Sequence, residues 1–272
     1  MPLTMSDEAF LAVWERLRSA AKVAKETGIG ERAVHLRRRK LEKKYGRPLT
    51  SLHERGDGKA LITFEHYRGR IIHKIDSGTV IAFSDAHFWP GDNSTAYRGL
   101  LHVCKELRPQ VVVCNGDAFD GSSISRFPRI GYDQTPTVKQ EMDACDAALT
   151  AIEDASKGAK FYWPLGNHDA RFEIRVANSI PEYGGVSGFT LKEHFPRWTP
   201  CWSVWMNEDT VIKHRYKGGI HAPWNNTISA GKNIVCGHLH SLKVYPLTDY
   251  NGDRFGVDTG TLSDIYGPKF EQ

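Results

Sequence analysis

Five short polar segments constrain this chain more than anything else in it. They are Asp85-Ala86-His87, Gly116-Asp117-Ala118-Phe119-Asp120, Gly166-Asn167-His168-Asp169, a run ending at His214, and Gly237-His238-Leu239-His240. Each closes a short, mostly apolar run: Thr79–Ser84, Val111–Cys114, Lys160–Pro164, Thr210–Lys213 and Asn233–Cys236. Such runs, bounded by Gly and Asn, read as strands. Between them, Thr95–Leu107 and Thr137–Lys157 read as helices, the first capped by Asn93 or Ser94. Cys201–Met206 reads as one further strand, and Asn251-Gly252 as the turn of a late hairpin. Strands alternating with helices predict an α/β sheet with helices on its faces. The polar segments then gather beyond the carboxyl ends of the strands, where open sheets place their sites.

One such segment means little, since a lone buried His is more often a core residue than a ligand. Five in this order are far more specific. Asp, Asn and His offer oxygen and imidazole donors with no thiolate, which suits Mn²⁺, Fe, Zn²⁺ and similar ions. The set resembles the five motifs of the calcineurin-like metallophosphoesterase superfamily, over residues 85–240 and across most of 77–272. Ser84–Gly91 and His214–Ser241 further resemble its phage and prophage branch.

That resemblance implies a sandwich of mixed β-sheets flanked by helices. It also implies two divalent metal ions, manganese first, with Fe, Zn, Ni or Mg as alternatives. Asp85, His87 and His240 would hold one metal, and Asn167, His214 and His238 the other, with Asp117 bridging. The implied reaction is phosphoester hydrolysis by a metal-bridging hydroxide, with no covalent enzyme intermediate. His168 would be the general acid and Asp120 would orient it. The plainer reading of Asp120, and of Asp169, is a turn or helix cap. Arg171, Arg126 and Arg129 are candidate phosphate contacts or simple surface charges. His214 is preferred to His221 as ligand because it ends an apolar run. His221 follows a glycine pair, which puts it near the substrate or gives it a structural role. Asp258-Thr259-Gly260-Thr261 is expected to pack near the site.

The charge is unevenly placed. Residues 1–50 hold 12 Lys+Arg against 6 Asp+Glu, whereas residues 51–272 hold 24 against 26. In the basic block Phe10, Val13, Trp14 and Leu17 recur at helical spacing. A second helix fits Ala20–Thr27 with Val23 and Ala24 inward, and Gly28 ends it. A third runs from Glu31 to about Lys44 with Val34 and Leu41 inward, stopped by Gly46 and Pro48. Helix, glycine turn and helix at this spacing resemble the helix-turn-helix of bacterial and phage DNA-binding proteins. Arg32, His35, Arg37, Arg38, Arg39 and Lys40 would then contact DNA, although Arg38 stands where such motifs often carry an apolar residue. The alternative is a basic helical hairpin used for docking or dimerisation; a helix-turn-helix often works as a dimer on two half-sites, although nothing in the sequence demands one. The expected domains are a helix-turn-helix over 1–50, a linker or β-hairpin over 51–76 and the α/β domain over 77–272. Gly56-Asp57-Gly58 reads as a turn, with Ala60–Glu65 and Arg70–Ile75 as two strands. These would form a wing on the first domain or an edge hairpin on the second.

With 40% hydrophobic and 25% charged residues, the chain has ordinary globular composition, which argues against a disordered tail or a disulfide scaffold. No apolar run approaches the ~18–20 residues that span a bilayer. Asp7, Glu8, Glu15, Arg16 and Arg18 interrupt any signal-peptide core, and five scattered cysteines without a CxxC pair read as reduced. A cytoplasmic protein of a bacterial or phage-infected cell is expected. One or two strands beyond Gln272 are also expected, so the sequence reads as C-terminally truncated.

Protein phosphatases of the superfamily carry Arg after the second-motif Asp and Glu after the third-motif His. Gly121 and Asp169 stand there instead, which favours the phosphodiesterase and nuclease branches. The basic helices favour DNA, because Lys/Arg contacts to phosphates dominate non-specific affinity. The expected function is therefore a metal-dependent DNA phosphodiesterase. The runner-up is a phosphatase or phosphodiesterase of small substrates such as nucleotides, with the N-terminal domain on DNA or a protein partner. A DNA-binding regulator with an inactive phosphoesterase domain is a third reading, against which the intact motifs argue.

Overall fold

The computed structural model describes residues 5–49, 67–91, 93–126 and 135–264. By compactness the chain divides into Met1–Thr63 and Phe64–Gln272. Gly56-Asp57-Gly58, the Ala60–Glu65 strand and Arg129 lie outside the described residues.

The first unit has three helices: α1 (Asp7–Leu17), α2 (Ala20–Thr27) and α3 (Glu31–Tyr45). Ser6 and Ser19 cap α1 and α2 by accepting backbone N–H groups, and Gly28 and Gly46 end α2 and α3 at positive φ. Phe10, Trp14, Val23, Val34 and Leu41 close on one another in a small core with Leu49. Those residues follow the helical period, so each helix buries one stripe.

The second unit is a mixed α/β fold of two sheets and flanking helices. Its strands are β1 (Ile71–His73), β2 (Val80–Phe83), β3 (Val111–Cys114), β4 (Lys160–Pro164), β5 (Trp198–Cys201), β6 (Val204–Met206), β7 (Thr210–Ile212), β8 (Asn233–Cys236), β9 (Lys243–Asp249) and β10 (Gly252–Asp258). One sheet has the order β2-β3-β4-β5, all parallel. The other has the order β1-β6-β7-β8-β10-β9, with antiparallel pairs at β6/β7 and β9/β10. Val111 and Val113 face Val204, Met206 and Ile212 between the sheets. Val112 and Cys114 face the helices α4 (Thr95–Leu107) and α5 (Val138–Ala155) on the outer side, through Tyr97, Cys145 and Leu149. Burial on both faces is why β3 is an unbroken apolar run rather than an alternating one. The far sheet is covered by α8 (Ala222–Ala230), whose Ala230 packs on Val211, Ile234 and Cys236.

Three expectations change. The single strand Cys201–Met206 is two, because the chain crosses from one sheet to the other at Trp202-Ser203. Cys201 and Val204 both enter the core between the sheets, so the apolar pattern runs on through the crossing. Arg70–Ile75 shortens to β1, which pairs in parallel with β6 at the edge of the larger sheet. The late hairpin turns through Tyr250-Asn251, with Gly252 already paired to Asp249. Helices α6 (Arg171–Ser179), α7 (Leu191–His194) and α8 are not foreshadowed in the sequence: α6 fully buries none of its residues, α7 has only four, and α8 buries small and polar residues rather than an apolar stripe. All five cysteines are free and buried, and no helix among the described residues is long and apolar enough to cross a membrane.

Candidate metal centre

The polar segments stand just past strand ends. Asp85 lies two residues beyond β2, Asp117 three beyond β3, His168 four beyond β4, His214 two beyond β7 and His238 two beyond β8. Asp85, His87, Asp117, His238 and His240 all have φ between 44° and 76°. Side-chain-bearing residues rarely adopt that left-handed region, at a cost of roughly 1–3 kcal/mol each, and such strain collects at functional sites. Two motif glycines are required by close approach. Gly116 has φ +86, and a Cβ there would stand 2.4 Å from His214 Nδ1. A Cβ on Gly166 would stand 2.0 Å from Asp117 Oδ1.

Three groups of converging donors result: Asp85, His87 and His240; Asp117, His214 and His238; and His87, Asp120 and His168. In the first, His240 Nε2 is 3.2 Å from Asp85 Oδ1 and 3.3 Å from His87 Nε2. Asp85 is fully buried and accepts the His238 backbone N–H on both oxygens. In the second, His214 Nε2 lies 3.1 Å from Asp117 Oδ2, while its Nδ1–H donates to the Asn115 carbonyl at 2.8 Å. In the third, Asp120 Oδ1 is 2.7 Å from His168 Nδ1 and 3.1 Å from His87 Nδ1. Asp120 therefore fixes two imidazoles, leaving each Nε2 turned the other way.

These contacts fit cations. With Nδ1–H on a carbonyl or carboxylate, His214 and His87 present Nε2 lone pairs, the tautomer that ligates metal. His214 Nε2 and Asp120 Oδ2 are buried without a hydrogen-bond partner in their groups. The Asp117–His214 approach is close but not aligned as a hydrogen bond, as two ligand atoms aimed at one point would be.

The acids of the site also draw positive charge, so a proton on His214 Nε2 competes with a metal for that lone pair. Burial pushes the Asp117 carboxyl up, but the close approach of His214 and the charges of His168 and His87 together hold it well below the carboxylate range. Burial lowers His214, yet Asp117 and then Asp85 carry it up to about 9. Burial, and next His214, hold His238 below the ordinary imidazole range. Asp120 is buried too, and its bonds to His168 and His87 keep its carboxyl low.

Most candidates from sequence fall in this cluster. Asn167 carries an exposed side chain at its margin, next to His168, whose N–H donates to Asp117 Oδ1 at 2.9 Å. Asp120 is not a helix cap, since Gly121 precedes the following 3₁₀ turn. Arg171 reaches the site, where its guanidinium donates to the Asp120 carbonyl at 3.0 Å and lies 3.2 Å from His168 Nε2. Arg126 is exposed, and His221 is exposed at the start of α8. Thr261 Oγ1 donates to the Asp85 carbonyl at 2.6 Å, and Thr259 bonds Ser84, so residues 258–261 pack against the first group.

Two acids were undervalued by sequence reasoning. Asp169, fully buried, accepts N–H groups from Asp117, Ala118, Phe119 and Gly166 and from the Trp163 indole. It ties the second motif loop to the third. Burial and the adjacent Asp117 charge push its carboxyl up, against the pull of those donors. Glu141, also fully buried, accepts the Gly121 and Ser122 N–H groups. Its signal was available, since it lies on the same helical stripe as Met142, Cys145 and Leu149, where an acid is out of place.

On α3, Arg32, His35, Arg39 and Lys40 are exposed, and so is Lys43. Arg37 and Arg38 are turned inward instead. The Arg37 guanidinium lies 5.1 Å from the centre of the Phe10 ring and 3.0 Å from Asp7 Oδ1, and Arg38 lies 5.3 Å from the Trp14 ring. The core-like position noted for Arg38 is thus occupied by its guanidinium over the Trp14 ring. A family model described as calcineurin-like phosphoesterase matches residues 78–266, which takes in all three donor groups. No match was found among curated proteins.

Proposed function

The chain belongs to the calcineurin-like phosphoesterase family, metal-dependent hydrolases of phosphoesters, and on that premise we propose that it cuts phosphodiester bonds in DNA. The observation that carries the DNA reading is the outer face of α3. Arg32, Arg39, Lys40 and Lys43 stand exposed there, in a compact unit separate from the hydrolase. Such a face suits a phosphate backbone. Gly121 and Asp169, in place of the Arg and Glu of protein phosphatases, support the same choice.

Asp85, His87 and His240 would hold one divalent ion in this reading and Asn167, His214 and His238 the other, with Asp117 serving both. Manganese is the first choice for oxygen and imidazole donors without thiolate. Such ions lower the pKa of water and offset charge on the phosphoryl oxygens. His168 delivers a proton from Nε2 to the leaving oxygen, while Asp120 holds its Nδ1–H and steadies the imidazolium. Arg171 donates towards that same Nε2 in the structure, so its guanidinium turns to a phosphoryl oxygen when His168 carries its proton there.

Mn²⁺-supplemented digestion of end-labelled single- and double-stranded DNA tests this, run beside an aryl phosphate monoester and an aryl phosphodiester. DNA fragments that vanish with chelator and with His168→Ala are expected. Cleavage that survives both changes overturns the mechanism. Hydrolysis of aryl esters with intact DNA moves the substrate to small molecules.

A further inference from the structure

Two residues beyond His214, the chain exposes an aromatic ring that the donor groups do not use. Tyr216 is 41% exposed, and the ammonium groups of Lys213 and Lys217 lie 5.4 and 5.8 Å from its ring centre. Arg215, beside it, is exposed as well. The segment is held firmly. Asn226 on α8, itself 1% exposed, accepts the Lys217 N–H at 3.0 Å and donates back to the Lys217 carbonyl at 3.3 Å. Lys217 Nζ donates to Ser229 Oγ at 2.6 Å. A buried amide therefore grips the residue after Tyr216 through both backbone groups and leaves the ring facing solvent. Arg215, Tyr216 and Lys217 line a shallow cleft together with His238, with Asn226 and Asp258 in its wall. The ring thus stands beside one donor group of the metal centre.

We propose that Tyr216 is a stacking platform for an unpaired DNA base next to the bond that is cut, with Arg215, Lys213 and Lys217 on the adjoining phosphates. The proposal rests on the nucleic-acid reading above and narrows it to single-stranded or frayed substrate. An aromatic face among cations suits a single strand, because every base has a π-face and every linkage a negative charge. A paired and stacked duplex has no free base face to offer. The two ammonium groups lie over the ring, so a stacking base takes the place of one of them and leaves its charge to a flanking phosphate. The gripped backbone fixes the ring before substrate arrives, which limits the ordering cost of binding.

The test uses the full chain with Mn²⁺ and short single-stranded DNA and RNA oligonucleotides carrying 2-aminopurine, whose fluorescence is quenched on stacking. An aryl phosphodiester serves as the small substrate. Tyr216→Ala is expected to raise KM for the DNA strand by roughly five- to hundred-fold and to abolish the quenching. Its turnover of the aryl diester is expected to stay near wild type, and Tyr216→Trp is expected to restore both DNA readouts. Unchanged KM and quenching in Tyr216→Ala, with DNA still cut, overturn the stacking role alone. An equal loss on the aryl diester overturns it as well, since the residue would then be structural. Quenching confined to the RNA strand overturns the assignment to DNA. If wild type turns over the aryl diester but neither binds nor cuts any strand, the nucleic-acid reading falls together with this one.

Discussion

Asp169 Oδ2 accepts the backbone N–H of Asp117 at 2.8 Å, and the same carboxylate takes the next two N–H groups of that loop at 3.0 Å. The turn that aims Asp117 at His214 is therefore held by a residue two positions past Asn167, in a different motif. Asp169→Asn replaces one acceptor with an amide donor facing those N–H groups. We expect a loss of about 2–4 kcal/mol, the usual range for breaking a buried charged network. Urea unfolding of both proteins in chelator measures it, and a difference below about 1 kcal/mol would remove Asp169 from this role.

The bond from His168 to Asp120 makes a prediction about leaving groups. A proton donor matters most when the departing oxygen is a poor leaving group. His168→Ala should therefore lower kcat on an alkyl-linked phosphodiester by about 10²–10⁴-fold. The loss on a p-nitrophenyl diester, whose phenolate leaves unaided, should be much smaller. Equal losses on both substrates, with metal content unchanged, would show that His168 serves some purpose other than proton donation.

Glu141 gives the second unit a pH dependence. Burial, and then the charge of Asp120, push its carboxyl up from 4.5 to about 7, against the opposing bonds from Ser122. The folded protein keeps a proton there that the unfolded chain releases. The contribution to stability is complete below about pH 4.5 and fades as pH rises through about 7. Its size is on the order of 2–4 kcal/mol. Glu141→Gln should flatten this slope between about pH 5 and 8 relative to wild type. Parallel curves for the two proteins, measured by urea unfolding in chelator, would contradict the assignment.

The basic residues of α3 should separate into two classes. Arg32→Ala, Arg39→Ala and Lys43→Ala should weaken duplex binding and leave folding intact. Each should reduce the slope of log K against log salt by about 0.9 for every phosphate it had neutralised. Arg37→Ala and Arg38→Ala should instead destabilise the helical unit by about 1–2 kcal/mol, since each removes a guanidinium lying over Phe10 or Trp14. Salt titration and thermal melting of the five variants check this. A uniform response across all five would erase the distinction.

Much of the molecule was readable because its signals are local. The ends of α2, β3, β4 and β8 follow from apolar period and glycine placement, and the Asp and His residues of the metal and acid groups stand out because five motifs recur in order. The crossing at Trp202-Ser203 was unreadable, because inward-facing residues continue on both sides of it. Helix α7 was missed because four residues show no period, and α6 because it buries no apolar stripe.

The sequence by itself determined which residue types stand at which strand ends, because alternation, glycine and chain order are local properties. Only the tertiary structure decided how they serve one another. Asp120 shares one oxygen between His87 and His168, Asp169 gathers N–H groups from two loops, and Arg37 and Arg38 turn from solvent to aromatic rings. Each of these depends on contacts between residues distant in the chain or brought together by a turn. A carboxylate's preference for buried N–H donors over solvent becomes decidable only when packing has excluded the water.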